Sequence, residues 1–254
     1  MFPAVGTRML LLTGLFIISL WAGIQNALAG GGTFITLPAL MLTGMDARAA
    51  NITSTIALFP AQAATGLTGR KNVSSAAGLS FLHLMAISLV GGVAGAVLLL
   101  VTPSDFFARL VPWLVLFATI VFAWGSFFRK AQAEPHLGRA GAGVTQFLIS
   151  VYGGYFGGGI GFLMLAALSA AGLAVRPAAA TKNVLAAVMN ASAVAIFVFS
   201  PSVHWLLAAI SCAGAVIGGI IGGFLLTRIN EKALRIVVVV IGAVLTVALF
   251  LRTP

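Results

Sequence analysis

The chain has 254 residues, 61% of them hydrophobic and only 7% charged, with a formal net charge of +10. Soluble domains carry about 25% charged residues, so this composition excludes a water-facing globule and reads as a multi-pass membrane protein. The excess of Lys and Arg does not point to nucleic acid. These residues stand singly or in pairs between apolar runs, without interleaved aromatics, which is how the loops of membrane proteins are charged.

The apolar runs do not alternate as barrel strands do, and several approach the ~20 residues a helix needs to cross a bilayer. In chain order the first predicted helix covers residues 10–28. Arg8, the apolar run and Ala27-Leu28-Ala29 imitate a signal peptide. The segment is nevertheless expected to stay, because its counterpart in the second half is also a helix that leads into a glycine tract. Gly30-Gly31-Gly32 then precedes a short helix over 33–43, followed by helices over 49–67, 76–101 and 107–128. A polar stretch, 129–143, holds Lys130, Glu134, Pro135, His136 and Arg139 and reads as a linker. Beyond it the series recurs: a helix over 144–156, the tract Gly157-Gly158-Gly159, a short helix over 160–171, and helices over 177–199, 205–226 and 233–251.

The recurrence is an internal repeat. Gly44, Arg48 and Thr53 are matched by Gly172, Arg176 and Thr181, Gly95 by Gly222, and Arg109 by Arg235, always in the same order. The spacing stays near ~127 residues, as one ancient unit and its copy would give. The organisation expected is therefore a first membrane repeat over 1–128, a cytoplasmic linker over 129–143 and a second repeat over 144–254. The short helices have too few residues to span alone, and read as broken or re-entrant segments. Five segments per half is an odd number, so the halves are expected to be inverted. With the linker inside, Arg70, Lys71, Arg176, Arg228 and Lys232 also fall inside, which is the charge bias a plasma-membrane (inner-membrane) protein carries on its cytoplasmic loops. Both termini are then outside.

Certain residues carry chemistry. A glycine run at membrane depth lets the backbone leave the helix and approach a ligand. The helix that follows offers unpaired N–H groups and a positive dipole end, a place for an anion. Gly30, Gly31, Gly32 with Thr33, and Gly157, Gly158, Gly159, are candidates on this ground. Gly91-Gly92, Gly95, Gly218-Gly219 and Gly222-Gly223 fit close helix packing instead. Lys182 lies inside an apolar helix, where a cation marks a functional site unless it snorkels to the interface. Thr181 and Asn183 flank it. Thr53 and Ser54 stand at the matching place in the first half, and Asn51 and Asn190 share these helices. Gln25, Asn26 and Gln62 read as hydrogen-bonding glue between helices. His83 reads as structural, and the single Cys212 can form no internal disulfide. Asp46, Asp105, Glu134 and Glu231 all fall in loops, so no embedded carboxylate is at hand for a proton or sodium relay. No catalytic cluster, metal-ligand spacing or phosphate-binding loop is present. No enzyme activity, metal or cofactor is expected.

Gly30 to Leu40 with Asn51-Ile52-Thr53-Ser54, and Tyr152 to Phe162 with Arg176, Ala180-Thr181-Lys182-Asn183 and Asn190, resemble the TauE/SafE sulfite exporter family over essentially the whole chain. The resemblance implies an all-α transporter that moves sulfite, an organosulfonate or a related small anion by alternating access, with export the expected direction. An anion channel and the membrane subunit of a multi-component permease remain alternatives. The partners expected are a small anionic substrate and the lipid bilayer, not nucleic acid, with homo-oligomerisation left open.

Overall fold

The computed structural model describes residues 5–28, 31–127, 137–225 and 231–252. Gly30, most of the expected linker and most of the expected 227–232 loop lie outside the described residues. Ten α-helices run through the remainder: α1 Val5–Leu28, α2 Thr33–Leu42, α3 Ala47–Gly69, α4 Phe81–Val101, α5 Ser104–Phe127, α6 Arg139–Tyr155, α7 Ile160–Ala170, α8 Val175–Phe197, α9 Trp205–Leu225 and α10 Glu231–Arg252. Among the described residues no strand forms beyond an isolated bridge between Ala76 and Leu79.

Local chemistry sets the ends. Asp46 caps α3, its carboxylate accepting from the N–H groups of Arg48 and Ala49 at 3.1 Å each. Gly44 and Gly172 take positive φ, +95° and +92°, just past α2 and α7, the left-handed step that closes a helix. Three helix starts differ by five residues from those expected, α1 beginning at Val5 rather than at 10. Helix α4 starts at Phe81, not at 76, because residues 76–79 close a tight turn with Ala77 and Gly78 at positive φ, and Ser80 supplies the cap. Helix α6 starts at Arg139, inside the expected linker, with Gly138 as its extended N-cap.

Five helices are long and apolar enough to cross a membrane among the described residues: α1, α4, α5, α8 and α9. Helix α3 is not one of them, because Asn51, Thr53, Ser54, Thr55, Gln62 and Thr65 dilute its hydropathy. Leu82, Trp113, Trp124, Phe224 and Leu251 are more than half exposed. An apolar exterior of this kind matches hydrocarbon rather than water. This is an all-α, multi-pass membrane protein.

The helix ends fall into two groups. At one end Arg48 donates to the carbonyls of Leu100 and Thr102 at 3.2 and 2.9 Å, and Ser104 donates to Asp46 at 2.8 Å. At the other end Ser74 N–H donates to Thr181 Oγ at 2.9 Å and Leu137 N–H to the Ala170 carbonyl at 3.2 Å. We refer to these as the Asp46 end and the Ser74 end. Two buried clusters match them, one around Phe34, Ile52, Phe107 and Phe197, the other around Leu84, Ile149, Met164 and Leu185.

Packing repeats between the halves. Helix α1 lies along α9, and α6 lies along α4, each pair running in the same direction. A Cβ on Gly218 would strike the Leu20 carbonyl, and one on Gly91 would come within 3.0 Å of the Phe147 carbonyl, its repeat equivalent. Helices α3 and α8 run antiparallel. The end of α3 bonds to the start of α8 through Ser74 and Thr181, and His204 N–H, beyond the end of α8, donates to Thr53 at the start of α3 at 3.4 Å. Helices α5 and α10 are antiparallel as well, with Trp113 against Phe250 and Thr119 against Gly242.

Candidate functional site

Midway between the two ends, α3 and α8 cross beside the starts of α2 and α7. A cavity of about 60 Å³ lies there, lined by Asn26 of α1, Gly31 and Thr33 at the start of α2, and Gly157, Ile160 and Gly161 at the start of α7. Thr55, Leu58, Gln62 and Thr65 of α3 and Lys182, Asn183, Ala186 and Asn190 of α8 complete it. The α3 and α8 residues recur at steps of three and four, one face of each helix. Thr55 and Asn183, Leu58 and Ala186, and Gln62 and Asn190 are repeat equivalents. The space fits a few water-sized groups.

Both short helices turn their N-termini toward this cavity. Gly32 and Gly159 are their N-caps and carry no side chain to cap with. At α2 the Phe34 and Ile35 N–H groups already donate to the Gly31 and Gly32 carbonyls, which leaves the Thr33 N–H free among the described residues. Gly31, Gly157 and Gly159 hold positive φ between +74° and +82°, where a Cβ is penalised by roughly 1–2 kcal/mol. Those glycines let the chain reverse into α2 and α7 without that penalty. Gln25 and Tyr152 are repeat equivalents beneath the two turns. The Tyr152 hydroxyl donates to the Gly158 carbonyl at 2.9 Å. The Gln25 carboxamide is buried without a hydrogen-bond partner among the described residues, and its nitrogen lies 3.8 Å from where a Cβ on Gly31 would be.

Lys182 supplies the charge. Its ammonium lies 3.7 Å from the point where a Cβ on Gly161 would stand, beside the first turn of α7. No ion pair or hydrogen bond holds it among the described residues, and no carboxylate lines the cavity. An ammonium and two positive helix ends facing one small space repel one another unless an anion lies between them.

Of the candidates from sequence, Gly31, Thr33, Gly157, Lys182, Asn183 and Asn190 line the cavity. Gly30 lies outside the described residues. Gly32 is buried behind the lining, its N–H donating to Asn26 Oδ1 at 3.4 Å. Gly158 and Gly159 sit beneath the turn, where a Cβ would meet Phe156 and Phe34 or Ala118. Four others point away. Asn51 Nδ2 donates to the Tyr155 carbonyl at 3.0 Å, Ser54 shares a hydrogen bond with Thr36, and the hydroxyls of Thr53 and Thr181 accept backbone N–H groups from the loops. These four hold the helices in place. Sequence reasoning assigned Asn26 and Gln62 to glue, named Thr55 only as a hydroxyl beside Ser54, and did not single out Thr65 or Gly161. The signal that finds them is the i, i+3, i+7 spacing of Thr55, Leu58 and Gln62, read against Asn183, Ala186 and Asn190.

Comparison with known proteins agrees with this architecture. The family described as sulfite exporter TauE/SafE matches residues 15–249. A probable membrane transporter protein, YfcA, of Escherichia coli K12 is 28% identical over 94% of this chain and 90% of its own. A probable membrane transporter protein of Haemophilus influenzae is 28% identical, covering 93% of each chain. Another from a Sinorhizobium species, ORF9, is 27% identical over 94% of this chain and 92% of its own. No solved structure matches.

Proposed function

This chain belongs to the sulfite exporter TauE/SafE family and is a membrane transporter, and from that premise we propose that it exports a compact sulfur oxyanion, sulfite foremost, by alternating access. The observation that carries the reading is the convergence of Lys182 and two helix N-termini on one carboxylate-free cavity. Each helix end contributes about half a positive charge. With the ammonium the site balances one or two negative charges. A volume of about 60 Å³ suits a three- or four-oxygen anion better than a long organosulfonate. Thr33, Gln62, Asn183 and the second amide hydrogen of Asn190 offer donors to its oxygens, whereas the Thr55 hydroxyl is already given to the Asn51 carbonyl.

The same proposal takes the halves as inverted repeats in a plasma membrane, with the Ser74 end in the cytoplasm. Inversion is supported by the antiparallel course of two equivalent helix pairs, α3 with α8 and α5 with α10. Orientation is supported by the Lys and Arg distribution: Arg70, Lys71, Arg139, Arg176, Lys232 and Arg235 belong to the Ser74 end, against Arg8, Arg48, Arg109 and Arg252 at the other.

Sulfite flux into proteoliposomes tests the function. Lys182→Met keeps apolar length and removes the cation. Losing a charged hydrogen-bond partner costs about 3 kcal/mol, so flux should fall by about a hundredfold. Lys182→Arg should retain part of it. Equal flux by wild type and Lys182→Met, at equal amounts of folded protein, would remove Lys182 from the site.

A further inference from the structure

A second cavity, of about 330 Å³, lies between α1, α3 and α9, bounded by Gly23, Ala27, Ala61, Ala64 and Gly219 among others. Asn26 and Thr65 line both this space and the anion cavity, so the two meet at that pair of side chains. The lining residues come from the portions of α1, α3 and α9 nearest the Ser74 end. Their repeat counterparts are Ser150 and Gly154 of α6, Met189 and Ser192 of α8, and Gly92 of α4, nearer the Asp46 end.

That counterpart is packed shut. Met189 is fully buried, and its thioether occupies the place a Cβ on Gly153 would need. A Cβ on Gly92 would stand 2.6 Å from the Met189 carbonyl, and one on Gly154 would strike the Gly92 carbonyl. On the open side the α9 position is loose, although Gly23 of α1 still packs hard against the Ala215 carbonyl. Gly219, the equivalent of Gly92, would carry a Cβ with only the Ala61 methyl near it, at 3.6 Å. Where α8 has Met189, α3 has Ala61; where α6 has Gly154, α1 has Ala27.

The geometry points to an access route and a plug: the anion reaches its cavity from the Ser74 end between α1, α3 and α9, past Asn26 and Thr65, while Met189 shuts the equivalent route from the Asp46 end. This rests on the transporter reading above. Two routes related by the repeat, one open and one closed around a shared site, are what alternating access requires and what a channel cannot have. A methionine suits the task because its unbranched thioether changes rotamer readily and repacks without leaving a rigid void.

Single cysteines test the route. Ala64→Cys and Ser192→Cys, each on a Cys212→Ala background in proteoliposomes, are treated from either face with a membrane-impermeant, anionic sulfonatoethyl methanethiosulfonate. Ala64→Cys should react from one face at least ~tenfold faster than Ser192→Cys reacts from either, since the sealed seam must open first. Adding Met189→Ala should raise the Ser192→Cys rate by about tenfold. A reciprocal variant guards against misfolding: Ala61→Met, placed where there is room, should slow Ala64→Cys by a similar factor. Equal rates at the two cysteines, or rates indifferent to both methionine variants, overturn the assignment, and equal fast rates are the result a channel would give. Sulfite flux measured on the same preparations separates the two proposals. The expected labelling without flux removes the substrate and keeps the route; flux with equal labelling keeps the transporter and removes the plug.

Discussion

The two halves of this molecule use the same positions for scaffolding and different residues for chemistry. Thr53 and Thr181 make the same bond to an opposite loop. Gly44 and Gly172 close equivalent helices with nearly equal φ. Gly91 and Gly218 admit equivalent partner helices. At the site the correspondence breaks: Lys182 stands where the first half has Ser54, Tyr152 where it has Gln25, and Met189 where it has Ala61. Duplication thus supplies two facing helix ends, while divergence supplies one cation and one closed seam.

The largest effects should come from breaking what the halves share. Gly95→Val and Gly218→Val each push a branched side chain into a partner backbone, at Val151 and Leu20 respectively. Overpacking costs about 1–3 kcal/mol when side chains can yield and more when backbone must move. Both variants should lose the monodisperse folded peak in detergent. Gly219→Ala, next to Gly218 in sequence, meets only ordinary contact at 3.6 Å and should shift the melting temperature little. If one seam tolerates valine and the other does not, the packing equivalence fails.

A smaller effect sharpens the difference beneath the glycine turns. Tyr152→Phe removes the bond that braces Gly158 and should cost about 1 kcal/mol of stability. Gln25→Leu removes a buried amide that bonds to nothing described, so stability should hold or rise. Sulfite flux then decides what the amide is for. If Gln25→Leu keeps stability but loses flux, the amide serves the anion or the moving turn; if flux is unchanged, it is a dispensable polar remnant.

Much of this was legible in the sequence. All ten helices follow from apolar runs, glycine tracts and the repeat, because in a membrane hydropathy and backbone satisfaction dominate everything else. The convergence of Gly31, Gly157 and Lys182 was legible too, since a buried cation and helix-breaking glycines are expensive unless used. Facing was not. Thr53 and Thr55 lie two residues apart, roughly 200° around a helix, so one braces a loop while the other lines the cavity, and a cluster of threonines does not say which. The gate was equally hidden. Gly218 and Gly219 read alike, yet only the first meets a backbone.

The smallest effect concerns the caps of α3 and α8, where the halves share geometry but not chemistry. Asp46 and Ala174 are repeat equivalents with the same extended backbone, φ −64° and ψ 155° against φ −63° and ψ 157°. Only Asp46 accepts the free N–H groups of its helix. Burial alone would raise its carboxyl, but the Ala49 N–H, the Ser104 hydroxyl, and the Arg48 N–H and charge together hold it below the ordinary value of 3.8. A depressed folded value means the charge stabilises the fold fully above that ordinary value, and the gain disappears as pH falls through the folded one. The melting temperature of wild type should therefore exceed that of Asp46→Asn by a constant margin from about pH 7 to about pH 5, and the margin should close below about pH 4. The margin is small because the carboxyl is mostly exposed and solvent screens it. Asp46→Ala should cost about 1 kcal/mol at neutral pH, since the cap itself is lost. The converse is the sharper test. Ala174 is exposed and its backbone is already set for a cap, so Ala174→Asp should stabilise by up to about 1 kcal/mol. A loss on that substitution would mean that the two helix starts, alike in φ and ψ, do not present their N–H groups alike.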